Sequence, residues 1–172
     1  MSLISRFLGI GADPRDELRG LWHAIVATSR EPEWYAKCGV ADSVEGRFDM
    51  IALILSLTLL RMENSEELGP KTGLLTELFV QDMDRQLRDS GVGDLMVGKK
   101  MGKLMSALGG RIGALRESMT QSDAALAVIL RRNVTLQDEE KKPFPLAVRT
   151  RALHNALAAQ DDAALLQGNL RP

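Results

Sequence analysis

The sequence is poor in the residue types that build most catalytic and metal sites. It has one cysteine and two histidines in 172 residues, and aromatic residues make up only 4%. The single cysteine, Cys38, excludes an internal disulfide and is typical of a reducing compartment, so we interpret it as a small buried hydrophobe. His23 and His154 are isolated, and neither a Cys-x-x-Cys nor a His-Glu-x-x-His motif is present. We therefore predict no metal, no cofactor and no catalytic activity.

A hydrophobic run long enough to span a membrane is also missing. Eleven uncharged residues, Met50–Leu60, stand between Asp49 and Arg61, whereas a membrane-spanning helix needs about 20 apolar residues. The run is instead typical of a central helix in a bundle, buried on nearly all sides. We therefore predict no transmembrane segment.

The net charge and the start of the chain argue against nucleic-acid binding, secretion and import into mitochondria. The net charge is −1, which provides no overall attraction to nucleic acid or anionic lipid, so we predict no DNA partner. The N-terminal residues lack the apolar core of a secretory signal, and the acids Asp13, Asp16 and Glu17 argue against a mitochondrial transit peptide. We expect a cytoplasmic protein.

Hydrophobic residues recur at helical spacing along the chain, without an alternating strand pattern. We predict an all-α fold, a single-domain bundle of about six to eight helices. Its expected parts are a flexible or amphipathic N-terminus (1–12), a helical core (13–141) and a C-terminal helical extension packed on the same domain (142–172). Ser43, Asp94 and Ser122 are predicted helix caps, and Gly91 is a predicted helix stop.

Two dense acid–base blocks, Asp42–Met50 and Asp82–Asp94, adjoin strongly apolar helices. Charges this dense beside glycines are typical of a recognition surface rather than of an active site. The segment Gly91–Asp94 resembles part of a phosphate loop but lacks the Gly-Lys-Ser/Thr ending, so a helix stop explains its glycines better. We also predict at least one ion pair between the two helices from Arg47, Asp49, Asp82 and Arg88.

A basic cluster and a group of methionines follow the second block. Lys99, Lys100 and Lys103 fall on one side of a helix, where they form either a solvated face or a docking patch for RNA or lipid headgroups. The chain has eight methionines, whose flexible thioether side chains suit varied apolar partners. Met96 and Met101 lie near the Gly91 turn and are candidates for a client-binding surface.

The two blocks also carry a resemblance. Gly-Arg-Phe-Asp-Met before an apolar helix, then Asp-Met-Asp-x-x-Leu-Arg-x-x-Gly-Val-Gly-Asp, resembles the ubiquinol–cytochrome c chaperone family over roughly Trp34 to Asn133. Members assist assembly of the respiratory ubiquinol–cytochrome c reductase, and the mitochondrial ones handle newly made cytochrome b. The chain departs from the family pattern at Ala107–Arg111, where aromatic residues are expected before Gly-Arg.

The resemblance implies a set of functional residues, with Asn133 as a late polar position. Together with Met96, the predicted client- or partner-binding residues are Asp42, Arg47, Asp49, Asp82, Asp84, Arg88, Gly91, Gly93, Asp94, Lys99 and Lys100. The implied function is an assembly chaperone of the bacterial type that binds newly made cytochrome b. Contact with a ribosome or with the inner-membrane surface is compatible with it. The alternative is a general helical protein–protein adaptor without a membrane-protein client.

Overall fold

The computed structural model describes residues 13–138 and 143–171, and its regular structure is helical apart from one isolated antiparallel bridge, Val40 with Leu136. The helices are α1 (Arg19–Ser29), α2 (Pro32–Ala36), α3 (Val44–Glu63), α4 (Thr72–Asp89), α5 (Asp94–Ser118), α6 (Asp123–Asn133), α7 (Phe144–Ala159) and α8 (Asp162–Leu166). Short 3-10 turns, Asp16–Leu18 and Gly69–Lys71, lead into α1 and α4. The predicted all-α fold is confirmed. The expected N-terminal segment 1–12 lies outside the described residues.

Helix α3 is the centre of the bundle and packs against α1, α5 and α7. Every residue of Met50–Leu60 except Ala52 is buried, as predicted for a helix that is apolar on nearly all sides. Its two hydroxyl groups are satisfied inside the helix: Ser56 Oγ donates to the Ala52 carbonyl at 2.6 Å, and Thr58 Oγ1 donates to the Ile54 carbonyl at 2.9 Å. In the described ranges no helix is both long and apolar enough to cross a bilayer.

The C-terminal helices are joined to α3 through Arg61. Its guanidinium donates to the Leu157 carbonyl at 3.2 Å and to the Gln160 carbonyl at 2.8 Å, and it pairs with Asp162 at 2.7 Å. These acceptors lie at the end of α7 and the start of α8. Helix α7 also packs along α6, so the last part of the chain covers one side of the central helix.

Two of the three predicted helix caps are confirmed. The hydroxyls of Ser43 and Ser122 each accept a hydrogen bond from the backbone N–H three residues further on. The third prediction is wrong: Gly93 holds the cap position of α5, and Asp94 is its first helical residue. The Asp94 carboxylate binds Arg88 instead, because a guanidinium is a stronger partner for a carboxylate than a backbone amide is.

Helices α4 and α5 form a hairpin whose far end leaves the main core. Met83 is fully buried in that core and Met101 packs at its edge. Between them the chain turns at Gly91, whose φ of 79° is the left-handed conformation that glycine favours. Val97 is buried there, apart from the main core. We call residues 84–100 the distal hairpin.

Candidate functional site

The first acid–base block contains one exposed and one largely buried ion pair. Arg47 pairs with Asp42 at 2.8 Å, and both side chains are more than half exposed. Asp49 points the other way and pairs with Arg111 of α5, also at 2.8 Å. The block therefore divides into a solvated pair and a contact that belongs to the packing of α3 on α5.

Asp49 and Arg111 are the centre of a cluster that joins three parts of the chain. The Asp49 Oδ2 atom accepts from the backbone N–H of Thr135 at 2.9 Å and from its hydroxyl at 2.7 Å. Arg111 is only 5% exposed. It donates to the Asp49 carbonyl at 3.0 Å and to the Asn133 carbonyl. We call these four residues the Asp49–Arg111 cluster. It holds α3, α5 and the segment after α6 together.

Arg111 is the residue that sequence reasoning missed. Its partners are 62 and 22 residues away in the chain, so no local pattern connects them. In the sequence the segment Ala107–Arg111 differs from the family pattern by the absence of the expected aromatic residues, and this difference does not indicate a partner for Arg111. The expected late polar residue Asn133 does take part, through its backbone carbonyl.

In the second block Arg88 binds two acids. Its guanidinium pairs with Asp84 at 2.7 Å and with Asp94 across the turn. The hydrogen bonds that Arg88 donates to the Asp84 and Asp94 carboxylates raise the pKa of Arg88 above its ordinary value. All three groups are exposed or half-exposed, so the pairs contribute little stability. What they do is fix the end of α4 to the start of α5 around Gly91 and Gly93.

The predicted ion pair between the two blocks is wrong. Arg47 pairs within its own block, Asp49 pairs with α5, and Arg88 pairs with two acids of the second block. Distance explains this result. Asp94 and Arg111 stand 17 positions apart on α5, which is about 25 Å at 1.5 Å per residue. The Arg88 end of the hairpin is therefore far from Asp49.

The outer face of α5 carries glycines where a soluble helix normally carries long polar side chains. Gly98, Gly102, Gly109 and Gly113 are spaced by four, seven and four residues, which puts them on one side of the helix. A Cβ added at any of them would meet nothing within 4 Å. Leu95, on the same side, is 94% exposed. We call this surface the glycine face; it consists of Leu95, Gly98, Gly102, Ser106, Gly109 and Gly113.

A groove of about 580 Å³ lies between α5 and the end of α6, beside the Asp49–Arg111 cluster. Arg131 and Arg132 line it. Both are exposed, and neither has an ion-pair partner among the described residues. Because Asp49 is neutralised by Arg111, the groove has a positive net charge.

The sulfur-containing residues differ in their exposure to solvent. Met96 is 49% exposed beside Leu95, as expected of a candidate contact residue, and Met83 is core. Met101, the other candidate for the client surface, is half-buried and packs against the core. Cys38 is buried, as predicted, and burial raises the pKa of its thiol. Across the described residues no group of three or more His, Cys, Asp or Glu side chains could hold a metal ion.

A helical bundle with exposed Leu95 and Met96 beside an open glycine face has the features of a protein-binding module. The chain belongs to the ubiquinol–cytochrome c chaperone family, whose model matches residues 36–172. This match extends well beyond the expected C-terminal limit at Asn133. By family the protein is a chaperone, and a chaperone acts on a client protein.

A solved structure supports the same assignment. The fold is similar to the crystal structure of the Cbp3 homolog from Brucella abortus, with a TM-score of 0.78 and 28% sequence identity. The similarity covers 98% of this chain and 94% of that chain, so it includes the distal hairpin and the C-terminal helices. Comparison with curated proteins gave no match.

Proposed function

We propose that the protein binds newly made cytochrome b during biogenesis of the respiratory ubiquinol–cytochrome c reductase, at the cytoplasmic surface of the inner membrane. The family assignment supports a role in assembly of this complex. Cytochrome b is a membrane protein, so its chaperone needs a surface that accepts apolar helices. The glycine face is the observation that carries the proposal.

The glycines of this face lower the stability of α5, and no packing contact compensates for this loss. A glycine in a helix interior is less favourable than alanine by about 0.8–1.0 kcal/mol. A Cβ added at these four positions would meet nothing within 4 Å, so close packing among the described residues does not require glycine there. Helices of membrane proteins pack closely through small residues of this kind, spaced four apart. An apolar client helix could lie against α5 at short backbone distance, with Leu95 and Met96 as contacts at its end.

The charged residues of the two blocks are proposed to orient the client. Cytoplasmic loops of membrane proteins are enriched in Lys and Arg. Asp42 and Asp82 would contact these loops, as would the acids paired with Arg88. Gly91 and Gly93 would set the shape of the hairpin end that presents Leu95 and Met96.

Replacing Gly98, Gly102, Gly109 and Gly113 together by Ala should raise the free energy of unfolding by about 3–4 kcal/mol and abolish client capture. The added methyl groups stabilise the helix but keep a client helix away from the backbone. Urea unfolding measures the first effect, and co-purification of cytochrome b from solubilised membranes measures the second.

Gly46→Ala is the contrasting variant. Its Cβ would lie 2.0 Å from the Ala41 carbonyl oxygen, so this substitution should destabilise the protein, while the four on α5 should not. Capture that persists undiminished in the stabilised fourfold variant would show that the glycine face is not the client surface.

Site-specific crosslinking in cells tests the client itself. A photoreactive residue in place of Leu95 or Gly102 should give an adduct with cytochrome b. The same residue in place of Val148, which is exposed on α7, should not. Adducts of the α5 positions with soluble proteins alone would contradict the proposal and would indicate the general adaptor instead.

A further inference from the structure

The charge of α5 differs sharply from that of the whole protein. Between its two acids, Asp94 and Glu117, this helix contains five bases, in a chain whose net charge is −1. Arg111 and Arg116 are paired with Asp49 and Glu63. Lys99, Lys100 and Lys103 are exposed and have no ion-pair partner among the described residues. The positive charge of these three lysines is therefore uncompensated.

Lys100 and Lys103 lie on a different side of α5 from the glycines, and this side leads into the groove. Lys99 lies at the border between the two sides, three residues before Gly102. Met96, Lys100, Lys103 and Ala107 are spaced by four, three and four residues, so they follow one side of α5. Ala107 lines the groove that also holds Arg131 and Arg132. Helix geometry makes the distance from position 96 to position 107 about 16 Å. We call the five unpaired cations the basic face; it consists of Lys99, Lys100, Lys103, Arg131 and Arg132.

We propose that the basic face binds the headgroups of anionic phospholipids and holds α5 along the membrane surface. Clusters of four to eight Lys and Arg residues have the charge that such headgroups attract. Met96 and Leu95 stand exposed at one end of the face, where apolar side chains can enter the boundary between headgroups and acyl chains.

The composition of the face favours lipid over RNA. Proteins that bind single strands without sequence preference stack bases on aromatic side chains, and none of the residues of the basic face or of α5 is aromatic. The inference rests on the proposed function only in that the client is a membrane protein. With the basic face on the membrane, the adjacent glycine face would stand beside a client helix as it leaves the bilayer.

Binding of the full chain to vesicles tests this proposal without any client. The protein should sediment with vesicles that contain phosphatidylglycerol and not with vesicles of phosphatidylcholine alone. Lys100→Gln with Lys103→Gln should lower the partition coefficient about 25-fold, at about fivefold for each charge. Arg131→Gln with Arg132→Gln should have a similar effect, and raising the salt concentration should weaken binding further.

Arg30→Gln with Lys37→Gln is the matched control, since it removes two exposed cations that have no ion-pair partner among the described residues and that lie outside α5 and α6. An equal loss of binding in this control, or equal binding to both kinds of vesicle, would overturn the proposal. So would tighter binding of a single-stranded RNA oligonucleotide that the same α5 and α6 substitutions abolish. Because the assay contains no cytochrome b, its failure would leave the crosslinking result intact, and failure of crosslinking would leave lipid binding intact.

Discussion

Leu55→Asp should leave the protein unfolded at temperatures where the native chain is folded. Leu55 is fully buried at the middle of α3, in the hydrophobic core. An unpaired charge in such a place costs several kcal/mol, which is a large part of the 5–15 kcal/mol that typically stabilises a domain. Thermal melting followed by circular dichroism measures the result.

Leu95→Asp provides the control for this substitution. The chemical change is the same, but Leu95 is almost fully exposed and stands in the first turn of α5, where a negative charge is favourable. Its melting temperature should equal that of the native protein. If Leu55→Asp also kept the native melting temperature, α3 would not be the centre of the bundle.

Arg111→Met should lower the free energy of unfolding by about 3 kcal/mol. The substitution leaves the Asp49 carboxylate without its cation and the Asn133 carbonyl without its donor. Removing one partner of a buried pair costs about 3–5 kcal/mol. We expect the lower end because the Asp49 side chain remains 26% exposed and water can hydrate it in part. Urea unfolding measures the change.

Two further substitutions serve as controls. Arg116→Met tests an exposed ion pair, and Asp49→Asn tests the effect of the unpaired carboxylate. Arg116 lies on the same helix and pairs with Glu63, but both side chains are exposed, so its loss should cost at most about 1 kcal/mol. Adding Asp49→Asn to Arg111→Met should recover part of the lost stability, because it removes the unpaired charge. Equal costs for the two arginines would show that the Asp49–Arg111 cluster does not hold the helices together.

The elements that could be predicted from the sequence are those that depend on residues close to one another in the chain. The apolar run that forms α3, the serine caps of α3 and α6 and the glycine stop at Gly91 each depend on residues within a few positions of one another. The two acid–base blocks were likewise recognisable from their order, and the family assignment followed from them. These helical features could be predicted because the hydrophobic period and the capping hydrogen bonds depend on residues within one or two helical turns.

Other predictions failed where a side chain had a choice of partners. Asp94 is of a residue type that often caps helices, yet it is the first helical residue of α5 and binds Arg88 across the turn. The expected pair between the two blocks did not form, because Arg111 approaches Asp49 from a helix that no pattern links to it. Among several nearby opposite charges, the three-dimensional arrangement decides which pair forms, and sequence spacing does not contain that information.

By itself the sequence determined the helical class, the central helix and the family of this protein. The tertiary structure alone decided which side of α5 faces solvent. The spacing of the glycines and of the lysines is visible in the sequence. Which side of the helix is exposed to solvent depends on how the helix packs against the rest of the bundle. Once Leu108 and Leu115 are buried against the bundle, the glycines point outward, and Lys100 and Lys103 lie on the side of α5 whose Ala107 lines the groove with Arg131 and Arg132. That packing created the two surfaces on which the proposed functions depend.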